Sequence, residues 1–406
     1  MSNSRRIARD TALLTGGQLA GVALTIVPTV LITRTLGPDA RGVYAWVLTV
    51  AGFGIQLATL APLPAVRTLA ERGDRRLPAT LATLAWAGTL VTLPLLAYAW
   101  FDPAIGARFR PLLLAAWLAV PLTATSLSLS PLIQIRGVAR QILTAQIAPR
   151  AAQFAIAVAL FATGLLTLTT AIWIFPTIAA IELGLVLLVL GRGIGDFRPS
   201  PRLMRRAAAL LGAGWVSAIS LFILPRIGLV VLGTTGALAT TGQYSVALTL
   251  QEVSMLAPAA LGGVLVTHVL RHGSPGWRTG LKALAIVLVP MGAAFAGAGF
   301  AAPLIVQVIF GPAFLPAADL YRLLLISVFL GTVYQLCQPF LFRDGRHIAV
   351  PAAGGLAVAA VVAIVAIPTL GVIGAVLSNV LGFLSLMLIA IAVMPRRIAS
   401  APAVAS

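Results

Sequence analysis

Apolar runs of about 20 residues, each long enough to cross about 30 Å of hydrocarbon, follow one another along the whole chain. That recurrence constrains the fold more than any other feature. Inside lipid every backbone N–H and C=O must find a partner within the protein, which leaves helices and closed barrels as spanning structures. The alternating in–out pattern of barrel strands is absent. The chain has 406 residues, of which 60% are hydrophobic and 9% charged, and its mean hydropathy is +1.03. This lies outside the range of soluble domains. The fold class expected is an all-α polytopic membrane protein.

Twelve spans are predicted, at 11–33, 43–65, 78–100, 111–134, 141–163, 169–190, 207–231, 243–267, 282–309, 320–341, 348–369 and 371–394. The longest connection, Gly191 to Arg206, follows the sixth span and divides the chain into 1–200 and 201–406. Each part holds six helices. The formal charge of +18 is not that of a nucleic-acid binder, because the basic residues stand in short clusters between apolar runs. Arginines at 5, 6, 9, 67, 72, 75, 76, 136, 140, 192, 198, 202, 205, 206, 271, 278, 343, 346, 396 and 397, with Lys282, fall on one side. Those are 21 of the 28 basic residues, so that side is cytoplasmic and both termini lie there. The first apolar run is too long for a signal-peptide core and lacks a cleavage site, so it is expected to be a retained helix.

Two short patterns occur twice. Leu36-Gly37, a loop and Gly42-Val43-Tyr44 are matched by Leu232-Gly233, a loop and Gly242-Gln243-Tyr244. Arg136-Gly137 through Arg140 after the fourth span is matched by Arg343 through Arg346 after the tenth. Six helices per half return the chain to the same side, so the halves are expected to be related by an axis along the membrane normal.

Four charged residues fall inside predicted spans: Arg150, Glu182, Arg226 and Glu252. A charge in lipid is costly, so each must face protein or a water-filled cavity. Arg150 with Glu182, and Arg226 with Glu252, stand on consecutive helices and could pair. Two roles stay open for them: ion pairs that fix helix packing, or cavity-lining groups that touch substrate or carry coupling protons. Polar stripes at helical spacing add Gln146, Arg150 and Gln153 on the fifth span, and Ser245, Thr249 and Glu252 on the eighth. Others are Thr15, Gln18, Thr25 and Thr29 on the first span, Thr123, Ser126, Ser130 and Gln134 on the fourth, and Ser327, Gln335 and Gln338 on the tenth. Pro225, next to Arg226, is expected to kink its helix and aim the charge at a cavity. Gly17 and Gly21 are expected to form a close-packing face.

Cys337 is alone, so no disulfide or cysteine metal site forms within the chain. His268, His272 and His347 lack ligand spacing and sit at cytoplasmic helix ends. No phosphate loop, nucleophile elbow or metal cluster is present, and the outer loops are short, so no enzyme activity, cofactor or metal is expected.

The chain resembles the Wzx-type polysaccharide flippases of the multidrug/oligosaccharidyl-lipid/polysaccharide exporter (MOP) superfamily. The resemblance rests on Thr33-Arg34-Thr35-Leu36-Gly37-Pro38 through Tyr44, on Leu232-Gly233 to Tyr244, and on Phe310-Gly311-Pro312-Ala313-Phe314 with Ala317-Ala318. It implies a MATE-like fold of two six-helix bundles with a cationic central cavity. It also implies transfer of a polyprenyl-diphosphate-linked oligosaccharide to the outer leaflet of a prokaryotic cell membrane by alternating access. Arg34, Arg150, Arg226, Gln146 and Gln153 are then expected to contact substrate, and Glu252 and Glu182 to balance or couple charge through H+ or Na+. Implied partners are membrane lipid and a polysaccharide polymerase or other assembly protein. Many relatives carry an acid beside the arginine equivalent to Arg226; here Arg226-Ile227-Gly228 has none, which moves the coupling role to Glu252. A multidrug or metabolite antiporter of the same superfamily, and a non-transporting scaffold for glycan assembly, are the alternative readings.

Overall fold

A computed structural model describes residues 3–59, 66, 69–70, 76–101, 106–136, 139–191, 198–262, 277–341 and 345–393. The ends of the second and eighth predicted spans, His268, His272, and the basic residues at 67, 72, 75, 192, 271, 343, 396 and 397 lie outside the described residues. The chain divides into two compact units, Met1–Trp215 and Val216–Ser406.

The first unit opens with a helical path, Asn3–Ala58, that breaks at Gly37 (φ 69°, ψ 176°). The break gives α1 (3–36) and α2 (38–58). Gly37 reaches a positive φ without a Cβ penalty, and Pro38 disfavours helical geometry in the residue before it. Next come α3 (Leu77–Val91) and α4 (Leu93–Phe101), then α5 (Gly106–Trp117) and α6 (Ala119–Arg136). Helices α7 (Ala139–Ala162) and α8 (Leu168–Leu190) close the unit. Gly164 (φ 69°) turns the chain between them, and Thr167 and Thr170 form a capping box at the start of α8. One core joins Leu77, Leu81, Leu129, Leu132 and Val186 to Leu203. A second joins Ile32 to Ala157, Ala171 and Ile174.

Helix α9 (Pro201–Ile223) bends at Gly212 and carries the chain into the second unit. Then follow α10 (Ile227–Thr234), α11 (Leu238–Ser254), α12 (Trp277–Phe310), α13 (Ala317–Leu341), α14 (Gly345–Leu370) and α15 (Val372–Val393). After a turn at Met255, residues 256–262 are again helical. Gly311 (φ 96°) and a short 3₁₀ turn, Pro312–Phe314, reverse the chain between α12 and α13. Helices α14 and α15 pack at backbone distance: a Cβ on Gly355 would stand 2.9 Å from the Gly382 carbonyl oxygen. Lipid gives apolar helices no hydrophobic reason to associate, so close van der Waals contact through small residues holds such pairs.

Among the described residues, eight helices are long and apolar enough to cross a membrane. They match the third to sixth and ninth to twelfth predicted spans. The seventh span was expected as one helix, 207–231. It is instead broken: Gly214–Ile223 and Ile227–Thr234 meet at 50°. The first span is helical throughout, and the second and eighth are helical as far as residues 58 and 262, apart from the turn at Met255.

Candidate substrate cavity in the C-terminal unit

The break in the seventh span builds the site. Pro225 has no N–H, so the helical ladder cannot continue past it. The Arg226 N–H turns to the Ile223 carbonyl (2.9 Å), and the Leu229 N–H to that of Arg226 (3.1 Å). The missing N–H deprives the Leu221 carbonyl of its helical donor, and the two turned N–H groups release two more, those of Phe222 and Pro225. Each of the latter two is taken by a side chain: Arg226 Nη1 donates to Phe222 O (2.9 Å) and Asn379 Nδ2 to Pro225 O (3.1 Å). In an apolar wall an unpaired carbonyl costs about 1–3 kcal/mol, so these caps make a defined break tolerable.

Arg226 Nη2 lies 2.6 Å from Glu252 Oε1 on α11, and its guanidinium stands over the Phe222 ring, 4.1 Å from the centroid. The acid is the more open partner: the Glu252 side chain is 47% exposed and that of Arg226 23%. Both line a cavity of about 500 Å³ with Gln251, Met255, Tyr334, Gln335, Gln338 and Phe383. Its wall thus combines one charged pair, three amides and two rings. Among the described residues, Gln335 Oε1 and the Tyr334 hydroxyl, beside Gln338, are buried without a well-aligned hydrogen-bond partner.

In the first unit the candidates do not assemble in the same way. Arg150 is close enough for its charge to act on Glu182, but among the described residues no direct ion pair joins them. Glu182 Oε1 accepts instead from Ser126 Oγ on α6 (2.9 Å). Arg150 lies against Gly21 of α1, where a Cβ would overlap its guanidinium. Gly21, expected to serve helix–helix packing, therefore clears space for a charged side chain. Gln146, Arg150 and Gln153 are half-buried on α7, and Arg34 is exposed near the end of α1.

Most hydroxyls of the predicted stripes turn back on their own helix. Thr25 bonds Gly21 O, Thr29 bonds Thr25 O, and Thr249 bonds Ser245 O. The amides and charges make the cross-helix links. The sequence reasoning missed Gln251 and Asn379, which are 2% and 1% exposed. An amide in the middle of an apolar span is itself a signal, since lipid offers it no partner.

The fold is one known from solved transporter structures. Solved structures sharing it include the lipid II flippase MurJ in an inward closed conformation (TM-score 0.72, 12% identity, covering 94% of this chain and 87% of that one). The eukaryotic MATE transporter AtDTX14 matches with a TM-score of 0.63 and 14% identity over 95% of each chain. An inward-facing multidrug resistance MATE family transporter of the MOP superfamily matches at 0.58 and 15% over 92% of each. At these identities the likeness is one of fold. No protein-family model matches the chain, and no curated sequence is significantly similar to it.

Proposed function

We propose that the protein is a flippase that moves a polyprenyl-diphosphate-linked oligosaccharide from the cytoplasmic to the outer leaflet of a prokaryotic cell membrane. Two six-helix bundles, 1–200 and 201–406, would alternate access for surface polysaccharide synthesis. The observation that carries this reading is a membrane-embedded arginine, Arg226, held at a helix break in an amide- and ring-lined cavity. A diphosphate is an acceptor-rich anion, and a guanidinium offers it a fork of donors. The positive end of α10 begins beside the same residue. Sugar hydroxyls suit Gln335, Gln338 and Tyr334, and sugar faces suit Phe383 and Tyr334. Glu252 keeps the empty cavity neutral and releases Arg226 when the anion arrives. Arg34 and Arg150 add cationic contacts, with Gln146 and Gln153, and Glu182 balances charge in the first unit. The same superfamily fold serves multidrug exporters, but a cation cargo would meet Arg226 on the wall beside the acid.

The test is a deletion strain. Lipid-linked oligosaccharide is expected to accumulate and to stay hidden from an impermeant sugar-binding reagent on spheroplasts. Normal labelling at the outer face in that strain would sink the flippase reading. A finer variant is Gly21→Ala. Only the flexible end of Arg150 must move, so the melting temperature is expected to stay within about 2 °C while transport falls several-fold. Unchanged transport would remove Arg150 from the substrate path.

A further inference from the structure

The charged pair at the helix break is backed by a buried layer of amides. Gln251 and Asn379 exchange two hydrogen bonds: Gln251 Nε2 to Asn379 Oδ1 (3.1 Å) and Asn379 Nδ2 to Gln251 Oε1 (3.2 Å). Each amide also reaches a further element. Gln251 Nε2 donates to Ser327 Oγ on α13 (3.0 Å), and Ser327 Oγ donates onward to Leu324 O (2.7 Å). Asn379 Nδ2 donates to Pro225 O at the break (3.1 Å). All three side chains are essentially inaccessible to water. One continuous chain of hydrogen bonds therefore runs from α13 through α11 and α15 to the gap between α9 and α10.

The placement in sequence matters. Gln251 immediately precedes Glu252, and Pro225 immediately precedes Arg226. Fixing Gln251 and the Pro225 carbonyl fixes the backbones from which the two charged side chains rise. Buried amides in an apolar interior are costly unless every donor and acceptor is met, and a fully met network holds one geometry. The Tyr244 hydroxyl adds a bond to Ala375 O (3.1 Å), tying α11 to the start of α15, one turn from Asn379.

We propose that the Gln251–Asn379 amide pair is the positioning device of this site: it holds the α9–α10 break at a fixed bend and so sets Arg226 opposite Glu252. The role in transport rests on the flippase reading; the role in fixing the bend does not.

The test uses full-length protein with Cys337→Ala and spin labels at two exposed positions flanking the break, Ala218→Cys and Thr235→Cys. The parent is expected to give one narrow distance distribution. Asn379→Leu keeps the approximate size and loses the donor to Pro225 O. Gln251→Met keeps the length and loses the amide from the other side of the pair. In both, the distribution is expected to broaden or split, and transport to fall at least tenfold. An unchanged distribution in either folded variant would overturn the proposal. So would a broadened distribution with normal transport alongside an inactive Arg226→Ala. If Arg226→Ala itself transports normally, the site assignment fails, while the distance measurement still decides what the amides do.

Discussion

Arg226→Ala is expected to reduce delivery of lipid-linked oligosaccharide to the outer leaflet about a hundredfold while the protein still reaches the membrane. A guanidinium–diphosphate contact made through charge-assisted hydrogen bonds is worth about 3 kcal/mol, or roughly two orders of magnitude. The variant also loses the cap on Phe222 O, worth about 1–3 kcal/mol, while the remaining Glu252 carboxylate is half-exposed, so membrane yield and melting temperature are measured beside transport. The exchange Arg226→Glu with Glu252→Arg separates the two roles of the pair. It keeps an ion pair between α11 and the break but moves the positive charge to the other helix. If Arg226 binds cargo from its place at the break, the exchanged protein stays inactive. Restored transport would make the pair a packing device.

The second large effect falls on folding. Gly374→Ala would place a Cβ 2.6 Å from the backbone carbon and oxygen of Ala366, where no side-chain rotation can make room. Overpacking of this kind costs about 1–3 kcal/mol, and backbone cannot yield as a side chain does. The melting temperature is expected to fall by about 5 °C, with a loss of monodisperse protein after detergent extraction. Gly297→Ala is the control: its Cβ meets nothing within 4 Å, and alanine is the better helix former by up to about 1 kcal/mol. Equal stability of the two variants would mean that α14 and α15 are not held at backbone distance.

The apolar runs made eight spans legible to within about five residues, because lipid leaves a backbone without barrel alternation no option but helix. Hydropathy is blind to the break in the seventh span. Residues 214–234 are apolar enough for one helix, and only Pro225 announces that the ladder must open. Proline alone does not fix a bend; Pro149 and Pro176 lie inside α7 and α8 without dividing them. The difference at Pro225 is tertiary, since Asn379 arrives from another helix to take the freed carbonyl. The charged candidates stood out as lone charges in apolar spans. Their pairing did not follow from standing on consecutive helices: Arg226 met Glu252, whereas Glu182 took Ser126 rather than Arg150. Pairing depends on the rotation of each helix about its own axis, and spacing in sequence does not define that rotation across elements.

In the proposed flippase the caps at the break would couple cargo to helix shape. Arg226 is shared between Glu252 and the carbonyl of its own Phe222. An anion that drew the guanidinium into the cavity would strip that carbonyl of its donor, at a cost of up to about 1–3 kcal/mol where no other donor replaces it. In the proposed flippase the side chain that meets the load would thus also be one of the two pins of the joint.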